Sequence, residues 1–322
     1  MEPDLDSTTR PDAWTDFWRA TRQGAIDLHA NDPVATALRV HWQAQIHWLS
    51  QCANLVDVGS GPAILPRLLL SLAPIALAHL RWTCVDRAHV TGGADVPVNV
   101  KLRDGEDFCV TEPGADLADA LVSNFGIEYL AHEGAAAASA RWLRRGGQFH
   151  AVIHAHGSII DRVSTASIDD IAWALDEVSL FERARALFVA MAGAPVDPIE
   201  RMMHGVDVRD AYNAAVNRVK QRMEDRGTVS PPLLNMLNGI RLLAGLAANG
   251  SLPQAEASLA AQRAGLQAEV CRLRTMQVSA HSEMSLNAFE QKLQAAGFEQ
   301  LERAHLDCEF GAIAWVVTAK RS

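Results

Sequence analysis

The sequence predicts an α/β protein, a doubly wound seven-stranded and mostly parallel sheet with an antiparallel last strand, plus a large helical insertion. Three observations point there. Between residues 54 and 154 short apolar runs alternate with helical stretches, the pattern of a parallel sheet covered on both faces. The first of these runs opens into a glycine-rich turn, Gly59-Ser60-Gly61. The chain then closes on a helix and two strand-like runs between residues 285 and 319, which suits an antiparallel pair completing the sheet.

The elements follow in order. Residues 1–12 read as a frayed end, and Trp14 to Ser50 as helical. Asp32-Pro33 is a cap and first-turn signal for a helix over 34–50. Trp14, Phe17 and Trp18 share one face of the preceding helix, either packed on the core or forming a flap over a ligand pocket. Strands are expected at Asn54–Val58, Leu80–Val85, Val96–Leu102, Ala118–Ser123 and, after Gly146-Gly147, Gln148–His154. Ala63–Leu72 and a run through Arg144 read as helices. Residues 157–281 read as three or four amphipathic helices, broken at Gly193–Pro198, Gly227–Pro232 and Gly250–Pro253. Leu252, Leu259, Leu266 and Leu273 recur there at heptad spacing. Gln262 and Glu269 interrupt the seam that a coiled coil would need, so a helix face packed on the body of the protein fits better. Ser285–Ala296 is a helix closed by Gly297, ahead of strands at Phe298–Asp307 and Ala312–Ala319. The expected organisation is N-terminal helices over 1–50, a core over 51–156 and 282–322, and an insertion over 157–281 serving as a lid or an oligomerisation element.

Composition excludes several classes. The chain has 322 residues, 49% hydrophobic and 21% charged, enough for a sizeable core. Its net charge of −9 argues against a nucleic-acid partner, which needs a basic footprint. Cys52, Cys84, Cys109, Cys271 and Cys308 are odd in number and form no C-x-x-C clip, so free thiols in a reducing compartment are expected, with no metal site. The acidic N-terminus lacks the apolar segment of a secretory signal, and no run reaches the ~20 apolar residues of a membrane span. A cytoplasmic protein with no membrane partner is the expectation.

The chemistry concentrates at the ends of the expected strands. In Val56-Asp57-Val58-Gly59-Ser60-Gly61-Pro62-Ala63 a strand runs through glycines into a helix, so a ligand can approach the backbone and the helix N–H groups. Ile64 stands where a dinucleotide fingerprint needs its third glycine, which disfavours a nicotinamide cofactor. Asp86, at the end of the second strand, can accept both hydroxyls of a ribose or cap a helix. Asp104-Gly105-Glu106 can supply an acceptor for an adenine amino group or form a plain polar turn. Ser123-Asn124-Phe125-Gly126-Ile127-Glu128-Tyr129 leaves the fourth strand on the edge where open α/β sheets bind ligands.

These segments together resemble the class I S-adenosylmethionine-dependent methyltransferases. VDVGSGPA resembles the family's first motif, Asp86 its ribose-binding acid, Asp104 its adenine-side acid and LVSNFGIEYL its fourth-strand motif. WLRRGGQFHAVI resembles its entry into strand five, and AFEQKLQAAGFEQLERA with AWVVTAKR its final helix and strand pair. The resemblance covers roughly residues 50–156 and 282–322 and implies a seven-stranded sheet with an antiparallel last strand. It implies S-adenosylmethionine as cofactor, held by Asp57, Gly59, Ser60, Gly61, Asp86, Arg87, Asp104, Gly105, Glu106, Asn124 and Phe125. The acceptor it implies is the oxygen or nitrogen of a small molecule. The candidate bases are His154 and His156, where strand five empties into the site, then Tyr129 and Glu128. His150, His154 and His156 also suit purely structural places at the sheet end. His204 and Tyr212 are further candidates if the insertion is a lid. The long insertion departs from the family pattern. The proline of GSGP occurs both in small-amine methyltransferases and in enzymes that transfer or cyclise the aminocarboxypropyl arm. Three readings therefore stand: methyl transfer, use of that other arm, or a non-catalytic binder that assembles through the Leu252–Leu273 stripe, for instance as a homodimer.

Overall fold

Asp32 starts the first long helix: its carboxylate accepts a hydrogen bond from Ala35 N at 2.9 Å, and Pro33 takes the first helical position. The computed structural model describes residues 13–20, 27–90, 96–130, 134–195, 197–227 and 229–322. Residues 1–12, read from sequence as a frayed end, lie outside the described residues. Helices α1 (Ala13–Ala20) and α2 (Pro33–Leu49) precede β1 (Asn54–Val58), α3 (Ile64–Leu72), α4 (Pro74–Leu77) and β2 (Arg81–Asp86). Next come β3 (Val100–Asp104), β4 (Ala118–Asn124), a 3-10 turn at Ile127–Leu130, α5 (Ala135–Trp142) and β5 (Leu143–His154). The long helical segment holds α6 (Ile159–Ala172), a π turn at Trp173–Glu177, α7 (Leu180–Ala192) and α8 (Pro198–Met203). It continues through α9 (Val206–Asp225), α10 (Pro231–Ala248) and α11 (Leu252–Ser279). The chain ends on α12 (Glu283–Ala295), β6 (Phe298–Cys308) and β7 (Gly311–Arg321).

The chain divides into two units, Met1–Arg162 with Thr275–Ser322, and Val163–Arg274. The first carries a seven-stranded sheet in the order β3-β2-β1-β4-β5-β7-β6. Strands β1 to β5 pair parallel, and β7 runs antiparallel to both β5 and β6. The order reverses between β1 and β4, so a crevice opens there at the carboxyl ends of the strands. Successive residues of the central strands face opposite sides. Val56, Leu121 and Phe149 pack with Trp142 and Phe289 on one face. Leu55, Val122 and Val152 pack with Leu38 and Trp42 on the other. Each fully buried side chain of this size is worth about 1.5–3 kcal/mol.

Two strands differ from the sequence expectation. Strand β3 begins at Val100, because Pro97 has no N–H for a ladder and its carbonyl closes a turn to Val100 N at 2.9 Å. Strand β5 reaches back to Leu143, so Gly146-Gly147 lie inside a stretch of irregular pairing with β4 instead of ahead of the strand.

The second unit is all helical. The segment resolves into six α-helices among the described residues, where the sequence suggested three or four. The extra breaks fall at Ser179 and Gly205, both with positive φ, and neither is marked by a proline or a glycine cluster. Phe181, Phe188, Val219, Met236 and Ile240 form its core. Asp170, buried in this unit, is paired at 2.7 Å by both Arg222 and Arg226. Leu252, Leu259 and Leu266 pack into the same core, so that part of the heptad stripe is covered by the unit's own helices. The five cysteines are free thiols. Among the described residues no helix is long and apolar enough to cross a membrane.

Candidate functional site

The turn after β1 is shaped by a close backbone approach. Gly59 has φ +67° and donates its N–H to Val85 O at 2.9 Å. Its α carbon lies against Gly126, at the end of β4. A Cβ added at Gly59 would sit 2.5 Å from Gly126 Cα, and one at Gly126 would sit 2.7 Å from Gly59 Cα while pressing on the Val58 carbonyl oxygen. Ser123 locks the same junction: its hydroxyl donates to Val58 O at 2.7 Å and accepts from Ile127 N at 2.9 Å. The two loops that flank the crevice are thus fixed to each other by main-chain contact.

Asp86 closes the other side. Its carboxylate accepts from Gly61 N at 2.6 Å and from Ala88 N at 2.8 Å, so the strand-end acid holds the glycine turn. Between the loops lies a cavity of about 210 Å³. Gly59, Asp86, Arg87, Glu106, Phe125 and Tyr129 are among its walls. Trp14 and Trp18 enter from α1, stacked on each other at 5.9 Å, with Trp14 edge-on to Tyr129 at 5.5 Å. Trp18 lies directly on Gly61, where an added Cβ would meet its ring at 2.6 Å.

The remaining candidates fall outside the cavity wall. Asp57 is buried under the turn, and burial beside Asp86 pushes its carboxyl well above the usual carboxylate range. Its Oδ2 has no hydrogen-bond partner. The buried Ser60 hydroxyl turns back to Gly61 O at 3.3 Å. Asp104 accepts from Val90 N at 3.2 Å and stands 3.8 Å from His89, whose ring also covers Gly105, so Glu106 is the acid that reaches the cavity. Asn124 is turned away and accepts from Trp42 Nε1 at 2.8 Å. His154 stacks on Phe125 at 4.2 Å and is buried behind it, and His156 is exposed. Of the candidate bases His154, His156, Tyr129 and Glu128, Tyr129 lines the cavity.

Glu128 is the buried acid beside this group. Its Oε1 accepts from His154 N at 3.0 Å and stands 3.9 Å from His154 Nε2, while its Oε2 has no partner. Burial raises its carboxyl to about 8, only partly offset by the backbone hydrogen bonds it accepts. The sequence reading missed Gly126 as a structural determinant, together with Phe108, Thr275 and Ser279 in the wall. Thr275 and Ser279 sit on the last turn of α11, far along the chain, and no local pattern marks them.

The strand order and the antiparallel β7 complete the architecture that the sequence motifs implied. The chain has the fold of the class I methyltransferases. No family model matches it, and no curated protein matches its sequence. Solved structures of this fold are similar to it at low identity. Human N-acetylserotonin methyltransferase, solved with S-adenosylmethionine, is 12% identical with a TM-score of 0.37. That comparison covers 90% of this chain but only 56% of the human chain. The N-methyltransferase NodS from Bradyrhizobium japonicum is 10% identical with a TM-score of 0.38, covering 89% of this chain and 97% of its own. NodS bound to S-adenosylhomocysteine is 17% identical with a TM-score of 0.33, over 44% of this chain and 73% of its own. Likenesses this loose assign neither a ligand nor a reaction to this methyltransferase-fold chain.

Proposed function

We propose that this protein binds S-adenosylmethionine in the cavity at the β1–β4 switch point and transfers its methyl group to an oxygen or nitrogen of a small molecule. The observation that carries this reading is Asp86, tied to the glycine turn through Gly61 N at 2.6 Å and lining one cavity with Gly59 and Glu106. Asp86 presents its carboxylate to a ribose, Glu106 an acceptor to an adenine amino group, and Phe125 a flat apolar wall. The bound cofactor supplies a methyl carbon activated by its sulfonium. The protein then has to position the acceptor in line and exclude water. Tyr129 is the base that reaches the wall if the acceptor must lose a proton.

The cavity of about 210 Å³ is smaller than the ~300–1,000 Å³ usual for small-molecule sites, so the Trp18 ring leaves Gly61 when a nucleoside with an amino-acid arm enters. Calorimetric titration with S-adenosylmethionine and S-adenosylhomocysteine should give saturable binding. Asp86→Ala should weaken it about five- to a hundred-fold through unpaired hydroxyls. Because Asp86 also holds the turn, Glu106→Ala is the companion variant, with a smaller loss expected. A folded wild type that binds neither compound sinks the proposal. Release of methylthioadenosine in place of S-adenosylhomocysteine would assign transfer of the other arm. Trp18→Ala should tighten binding severalfold and reduce the change in tryptophan fluorescence on titration. Weaker binding would mean that the ring belongs to the bound site.

A further inference from the structure

The helical unit holds a second cavity, of about 650 Å³, which the methyl-transfer reading does not use. Its volume falls within the ~300–1,000 Å³ of small-molecule sites. It lies where α7, α9 and α10 part. Elsewhere between these helices Phe188, Val219 and Ile240 fill the core, whereas here Ala190, Ala244 and Ala248 leave space. Leu187 and Met191 supply larger apolar walls, the methionine being able to adapt to an irregular guest.

The polar part of the wall has one sign. Arg209, Tyr212 and Asn213 reach it from α9, where spacings of three and four place them on one helix face. His204 adds an imidazole from the end of α8. Asp207 and Asp210, on the same turns of α9, are exposed and take no part in the wall. Among the described residues the wall therefore holds a guanidinium, a phenol, an amide and an imidazole, but no carboxylate, in a chain with 38 acidic against 29 basic residues. The amino end of α9 adds to this. Gly205 gives it no side-chain cap, and it borders the cavity through His204 and Arg209. A guanidinium has five N–H donors, so Arg209 can hold an anion and keep its contacts within the chain.

We propose that this cavity binds a small apolar carboxylic acid. Its hydrocarbon body lies against Leu187, Met191 and Ala244, and its carboxylate lies on Arg209 and Tyr212. No residue of this wall lines the proposed cofactor cavity, so the test omits S-adenosylmethionine and its outcome leaves that reading untouched.

The full-length protein is titrated by calorimetry with decanoate, 2-naphthoate, decan-1-ol and inorganic phosphate. At least one of the two carboxylates should bind saturably at a single site, decan-1-ol at least about tenfold more weakly than decanoate, and phosphate not at all. Arg209→Gln should weaken carboxylate binding about tenfold or more and leave decan-1-ol unchanged. Ala244→Phe, which fills the cavity, should abolish both. Should Ala244→Phe fail to fold, Arg209→Gln still decides. The proposal is overturned if neither carboxylate binds, if decan-1-ol binds as well as decanoate, or if Arg209→Gln leaves carboxylate affinity unchanged.

Discussion

Gly126→Ala is expected to destabilise the fold by about 2–4 kcal/mol and to remove ligand binding at the β1–β4 crevice. The new methyl would meet Gly59 Cα at 2.7 Å and press on the Val58 carbonyl oxygen, and both neighbours are backbone. Neither can rotate away as a flexible side chain would. Relief needs the β4 loop to move off the β1 turn, which pulls on Ser123, whose hydroxyl bridges Val58 O and Ile127 N. It also shifts Phe125 and Tyr129, which line the cavity on either side of this residue. A control at Gly114, where an added Cβ meets nothing within 4 Å, should cost far less. Denaturant midpoints of the two variants give the comparison. Equal midpoints would show that the two loops are not held by this contact.

Glu128→Gln should raise stability in alkaline solution by removing the carboxyl's share of the fall in stability with rising pH. The folded carboxyl sits at about 8, against an ordinary value of 4.5. Between these values the unfolded chain has given up its proton while the folded chain keeps it, so the unfolded state binds fewer protons and stability falls as pH rises. The contribution is complete below 4.5 and lost as pH climbs through 8. The amide keeps an oxygen for His154 N, which donates to Glu128 Oε1 at 3.0 Å, and it has no proton to lose. The gain of the variant over the wild type should therefore grow by a few kcal/mol, as an order of magnitude, from about pH 4.5 to pH 8. Parallel stability curves for the two proteins would contradict it.

A histidine pair gives the opposite slope and is present in both proteins. His41 and His150 are joined Nε2 to Nε2 at 2.9 Å between α2 and β5. Burial pushes His150 down to about 3, with the neighbouring His41 adding to the shift, and burial also lowers His41. Groups lowered in this way destabilise the fold as pH drops below about 6.5, when the unfolded chain takes up protons that the folded one refuses. The wild type should thus be most stable on the acid side of neutrality. The difference between it and Glu128→Gln isolates the carboxyl.

What the sequence by itself determined is the architecture. Alternating apolar runs, the Asp32-Pro33 cap, the β1 glycines and the Gly297 helix stop are local signals, each set by backbone chemistry within a few residues. They were enough for a seven-stranded sheet with an antiparallel last strand and for the edge on which Asp86, Phe125 and Tyr129 meet. Tertiary structure decided which side chains face the cavity, because orientation depends on partners distant in the chain. Asn124 looked like a ligand residue, yet Trp42 holds it on the other side of the strand end. His154 looked like a base, yet Phe125, with φ +58°, lies over it. Asp104 gave way to Glu106, and Trp18 came to rest on Gly61. The alanine-lined cavity between α7, α9 and α10 was equally invisible, since alanine is the default residue of any helix and leaves space only where three helices part.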